Sequence, residues 1–128
     1  MGDTVSVLGF EARISALYAI APQAYTTSSS AIASSAIDTR LYPRKTILAV
    51  FQHAADATST GVTCTVTESA VSGSGYASAT IGTLTAASTS ARTAIVSVKR
   101  NPAKPYIKIT MTPAGGSGVV AGNVFFQD

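Results

Sequence analysis

Val62-Thr63-Cys64-Thr65-Val66-Thr67-Glu68 alternates apolar and polar side chains without a break. A period of two marks a strand with one face on a core and the other toward solvent. Val62, Cys64 and Val66 are therefore predicted inward, and Thr63, Thr65 and Thr67 outward. The same alternation returns downstream in Tyr106-Ile107-Lys108-Ile109-Thr110-Met111, with Ile107, Ile109 and Met111 inward. Upstream, Thr46-Ile47-Leu48-Ala49-Val50-Phe51-Gln52-His53 is a nearly continuous apolar run of strand length. Such a run predicts a central strand covered on both faces.

Turn signals divide the remaining chain. Ser72-Gly73-Ser74-Gly75 precedes a weaker strand over residues 76–84, and Asn101-Pro102 ends one over residues 93–99. Pro113-Ala114-Gly115-Gly116-Ser117-Gly118 precedes a last strand over residues 119–127; glycine supplies the positive φ that tight turns require. The Thr/Ser/Ala tract of residues 25–35 reads either as a flexible linker or as weak edge structure, with short strands near residues 24–28 and 32–38 favoured. The sum is an all-β chain: an antiparallel β-sandwich, jelly-roll-like or Ig-like, of about seven to eight short strands.

Residues 1–22 differ in texture. Phe10, Ile14, Leu17 and Tyr18 fall at helical spacing, yet Val5 and Val7, then Phe10, Ala12 and Ile14, also fit a period of two. A short helix and an extended arm both remain open, and Pro22 is expected to end either one. The domain division is thus an N-terminal arm or short helix over residues 1–22 and a sandwich over residues 23–128.

Composition narrows the function. In 128 residues the hydrophobic fraction is 46% and the charged fraction 12%, with a net charge of +3; such a chain is neither disordered nor strongly polar. No apolar run approaches the roughly 20 residues of a membrane-spanning helix. The nine basic residues are scattered and form no stripe of the kind nucleic-acid binders carry. Cys64 is the single cysteine, so no intrachain disulfide framework is possible. Met1-Gly2-Asp3-Thr4 does not read as a secretory leader; folding in a reducing cytoplasm is expected.

Chemistry-bearing groups are sparse. His53 is the single histidine and has only Asp56 nearby in sequence, a fragment at most of a metal site. Cys64 falls in the inward register, where a thiol is inert core filler. The six acids offer no close pair to divide acid and base roles, and the glycine-rich turn lacks the Lys-Ser/Thr of a phosphate cradle. No catalytic, cofactor-binding or metal-binding residue is predicted, and the chain is not expected to be an enzyme. Its outward positions are dominated by Thr, Ser and Ala. A surface depleted in charge suits permanent packing against neighbours and pairing of exposed strand edges.

The order of the pieces resembles small virion proteins of tailed bacteriophages. The resemblance lies in Ala21-Pro22-Gln23-Ala24-Tyr25-Thr26-Thr27, in Ala36-Ile37-Asp38-Thr39-Arg40-Leu41-Tyr42 before the strand of residues 47–51, and in Val62 to Glu68-Ser69 with a Gly/Ser turn and Tyr76. Pro105-Tyr106-Ile107-Lys108-Ile109-Thr110-Met111-Thr112-Pro113, a Gly-rich turn and a last strand complete it. Ala70-Val71 stands where those proteins often carry acidic residues. The resemblance implies a capsid decoration or cement (minor capsid) protein on the capsid exterior. Its partners would be the major capsid protein and copies of itself, as a homotrimer, with no direct nucleic-acid or membrane contact and no cofactor. Val5, Val7, Phe10, Ile14, Leu17 and Tyr18 would form an adhesive arm, and Arg40, Arg44 and Lys45 would make charged contacts. A tail tube, terminator or connector component is the alternative within that class, and a glycan-binding module on the virion surface lies outside it.

Overall fold

A computed structural model of the chain describes residues 14–26, 30–54, 61–84 and 91–127. Among the described residues, nine strands run in the order β1 (Ile14–Tyr25), β2 (Ile32–Ala33), β3 (Ile37–Asp38), β4 (Thr46–His53), β5 (Val62–Ser69), β6 (Ala77–Leu84), β7 (Arg92–Lys99), β8 (Tyr106–Pro113) and β9 (Gly118–Gln127). A single 3₁₀ turn, Thr39–Leu41, separates β3 from β4. Two antiparallel sheets result: β1-β9-β4-β7, and β2-β8-β5-β6 with β3 also on β8.

The pairings obey one rule. First meets last (β1 with β9), β2 and β3 meet β8, β4 meets β7, and β5 meets β6. A long antiparallel ribbon rolled into two layers gives this pattern, which is the jelly-roll form of the sandwich. Of the two forms open at the level of sequence, the jelly roll is the one observed.

The nine strands exceed the expected seven to eight because the strand predicted over residues 32–38 is interrupted. At the break, the Ile109 N–H donates to Ser34 Oγ at 3.0 Å while the Ser34 N–H donates to the Ile109 carbonyl at 2.9 Å. A serine hydroxyl thus accepts the bond a ladder carbonyl would otherwise accept, and the edge continues as β3.

Residues 14–22 are neither helical nor set apart from the sandwich. They belong to β1, an edge strand, and β1 runs through Pro22 to Tyr25. Proline is tolerated because it lacks only an N–H, and the register shifts between Ile20 and Gln23. A bulge on an edge strand is where sheets accommodate this residue. Residues 1–13 lie outside the described residues.

Between the sheets lies one core. Ile47, Ala49 and Phe51 of β4, Val62, Cys64 and Val66 of β5, Ile107, Ile109 and Met111 of β8, and Val120, Val124 and Phe126 of β9 are all buried. Each fully buried large side chain contributes about 1.5–3 kcal/mol of apolar transfer. Where β6 crosses β7 the layers approach closely: a Cβ at Gly82 would sit 2.5 Å from Val96 Cγ2, so any larger residue would have to displace the Val96 side chain.

Candidate functional site

The run Thr46–His53 is central, between β9 and β7, but it is covered on one face only. Ile47, Ala49, Phe51 and His53 are buried, whereas Leu48 and Val50 are half-buried and Gln52 is exposed. The predicted second cover is not supplied by the described residues. The neighbours of Leu48 and Val50 extend the same face. Leu48 pairs with Phe125, and Val50 pairs with Ile95 and Asn123; Ile95 is 65% exposed. Among the outward positions of β4, β7 and β9 the sole charged residue is Lys99, at one end. The result is an apolar patch of Leu48, Val50, Ile95 and Phe125 in the middle of a sheet face.

The other sheet presents a different outer surface. Thr63 pairs with Thr112 and Thr65 with Thr110, giving a threonine ladder whose hydroxyls and methyl groups are both offered to solvent. Tyr76 and Tyr106 lie toward one end of this sheet, each with a cation over its ring: Lys108 Nζ 4.6 Å from the Tyr76 centroid, and Arg40 Cζ 5.2 Å from that of Tyr106. Burial, with a smaller contribution from Tyr106, pushes the Tyr76 phenol above its ordinary pKa.

The three predicted basic contacts separate in space. Arg40 is held by Asp38, Nε to Oδ1 and Nη2 to Oδ2 at 2.9 Å each, and also donates to Tyr106 Oη at 2.8 Å. The hydrogen bonds from Arg40 hold the Asp38 carboxyl below the usual carboxylate range. Arg44 and Lys45 instead line a groove of about 630 Å³ with Lys99 and Arg100 between Pro43 and Pro102. In the sequence those last two cations count only among the scattered basic residues, because only the pairing of β4 with β7, Thr46 opposite Lys99, places them beside Lys45. Of the predicted arm residues, Val5, Val7 and Phe10 lie outside the described residues. Ile14, Leu17 and Tyr18 fall in β1, opposite Gln127, Val124 and Asn123 of β9.

The Ile37-Asp38-Thr39 step has a local explanation. Ile37 is buried in the core, Asp38 caps the 3₁₀ turn by accepting from the Arg40 N–H, and buried Thr39 donates through Oγ1 to the Pro105 carbonyl at 2.7 Å. Tyr42 then stacks on Phe126 with centroids 4.4 Å apart, fixing the approach to β4 and the groove.

His53 and Cys64 are both buried. His53 Nδ1 lies 2.6 Å from the Ala54 carbonyl and must donate to it, so Nε2 accepts from the Tyr25 hydroxyl at 2.6 Å. Both ring nitrogens are committed, which leaves neither to act on Cys64. Asp56 lies outside the described residues, and among the described residues no three His, Cys, Asp or Glu side chains gather around a common point.

Neither a protein-family model nor a curated protein matches the sequence. Solved structures share its fold. The PBSX exported protein XepA superimposes with a TM-score of 0.64 at 11% identity, over 88% of this chain and 37% of that one. The Yersinia pseudotuberculosis-derived mitogen gives 0.58 at 8% identity, over 90% and 86%. The K3 cleaved adhesin domain of Lys-gingipain from Porphyromonas gingivalis gives 0.54 at 12% identity, over 84% and 72%. The chain thus spans little more than a third of XepA. At these identities the likeness is one of fold.

Proposed function

We propose that this chain is a structural component of a bacteriophage virion, a decoration or minor capsid protein that acts by packing against copies of itself and the major capsid protein. The apolar patch of Leu48, Val50, Ile95 and Phe125 carries the reading. A sheet face with one charge among thirteen outward positions of three strands, at its rim, has the character of an interface core. The jelly roll is a fold of viral capsid and lectin domains alike, and the likeness to the PBSX exported protein XepA is compatible with it; both are analogies of fold. The occupant of the patch is a second copy of this chain, in a trimer on the capsid exterior.

The purified chain tests this by its mass in solution. Sedimentation velocity should give a trimer that Leu48→Lys and Ile95→Lys convert to monomer with little change in melting temperature. A monomer at every concentration would overturn the self-packing. Antibody labelling of particles from a culture carrying the gene should decorate heads; labelled tails would favour the tube, terminator or connector role instead. A glycan-binding module would show a change in Tyr76 or Tyr106 fluorescence on sugar titration, and none is expected.

A further inference from the structure

The groove at the end of the four-stranded sheet gathers basic side chains from the ends of β4 and β7. β4 and β7 are paired, Thr46 stands opposite Lys99, and the Arg100 N–H donates to the Lys45 carbonyl at 2.9 Å. These contacts bring Arg44, Lys45, Lys99 and Arg100 to one place, flanked by Pro43 and Pro102. Among the described residues, none that lines the groove is acidic. The nearby carboxylates among the described residues are engaged elsewhere: Asp38, which feels the Arg100 charge, is clasped by Arg40, and Glu68 accepts from Asn101 at 3.4 Å. Arg100 Nε is shielded from solvent and meets no hydrogen-bond acceptor. A donor so placed leaves its desolvation uncompensated within the fold.

We propose that this groove binds an acidic peptide segment of a protein partner, its carboxylates bridging Arg100 and Lys99. A guanidinium presents a planar fork that fits a carboxylate with two parallel hydrogen bonds, and the lysines add point charge around it. Nucleic acid is the less suitable occupant, because a phosphate backbone needs a track of cations. Arg92 lies at the far end of β7 from Lys99, Lys108 is over Tyr76, and Arg40 is held by Asp38. Among the described residues, the groove's lining also holds no aromatic side chain on which a base could stack. Thr46 and Lys99 belong both to the groove and to the outer face bearing the apolar patch, so the two surfaces adjoin. That the segment belongs to a virion partner rests on the function proposed above; the preference for carboxylates does not.

Fluorescence anisotropy with a labelled hexaglutamate peptide tests the site on the full chain, beside a hexaglutamine peptide and a short single-stranded DNA. Hexaglutamate should bind, hexaglutamine should not, and the double variant Lys99→Gln/Arg100→Gln should weaken binding roughly tenfold or more. Lys45→Gln/Lys99→Gln, at two exposed positions, should weaken it in the same direction and guards against a folding defect in the first variant. Leu48→Lys should leave peptide affinity within about twofold, whatever it does to the trimer. No hexaglutamate binding, binding indifferent to both double variants, or tighter binding of the DNA would each overturn the proposal. A lost trimer with intact peptide binding would strike only the self-packing.

Discussion

Tyr25 and His53 show how closely single residues are constrained. The Tyr25 hydroxyl satisfies His53 Nε2 inside the core, so Tyr25→Phe should leave a buried acceptor without a donor and cost about 1–3 kcal/mol in urea denaturation. A loss of a few tenths would contradict the hydrogen-bond assignment. Gly118 faces the same ring: a Cβ there would lie 2.6 Å from His53 Nε2. Gly118→Ala should therefore cost about 1–3 kcal/mol by overpacking, read by the same denaturation. Asp38 gives a pH dependence with a definite sign. Its carboxyl titrates lower in the folded protein than in the unfolded chain, chiefly through its hydrogen bonds from Arg40. The stabilisation is therefore present above the ordinary carboxylate value near pH 4 and is lost as the pH falls through the lower folded value. Asp38→Asn should be less stable than the parent at pH 6, and the two should converge near pH 2. The pair is largely exposed, so the gap at pH 6 should be small.

At the scale of elements, the strands that pack both layers were the legible ones. β4 keeps its predicted limits, and β5 ends one residue beyond them, because alternation and apolar runs register burial directly. β1 and the β2–β3 edge were harder to read. Pro22 signals a stop, yet an edge strand has no outer neighbour needing its N–H. Ser34 breaks a strand by a side-chain bond to Ile109, which no local pattern announces. The basic groove was half legible. Arg44 and Lys45 stood out in sequence, while Lys99 and Arg100 join them only through a pairing more than fifty residues distant. Among the described residues, residues 46–53 are covered on one face, where the expectation was cover on both, and the uncovered half is the apolar patch itself. Cys64, buried between Val62 and Val66 on β5, should resist a thiol reagent in the native state and react on unfolding; rapid native labelling would place it outside the core.

For the molecule as a whole, area decides what the patch can do alone. Four strands at about 4.8 Å spacing and eight residues at about 3.3 Å each give a face of roughly 500 Å². A standard interface takes about 800 Å² from each partner. The sheet face needs a second surface to make a persistent assembly, and the groove at its end is contiguous with it. The central claim is that the outer face of Leu48, Val50, Ile95 and Phe125 is buried between copies of the chain. Sedimentation velocity of the parent and of Leu48→Lys/Ile95→Lys over a hundredfold range of concentration tests it most directly. A parent that sediments as a trimer and a folded variant that sediments as a monomer are predicted; a monomeric parent, or a variant that keeps the parent's mass, would contradict the claim.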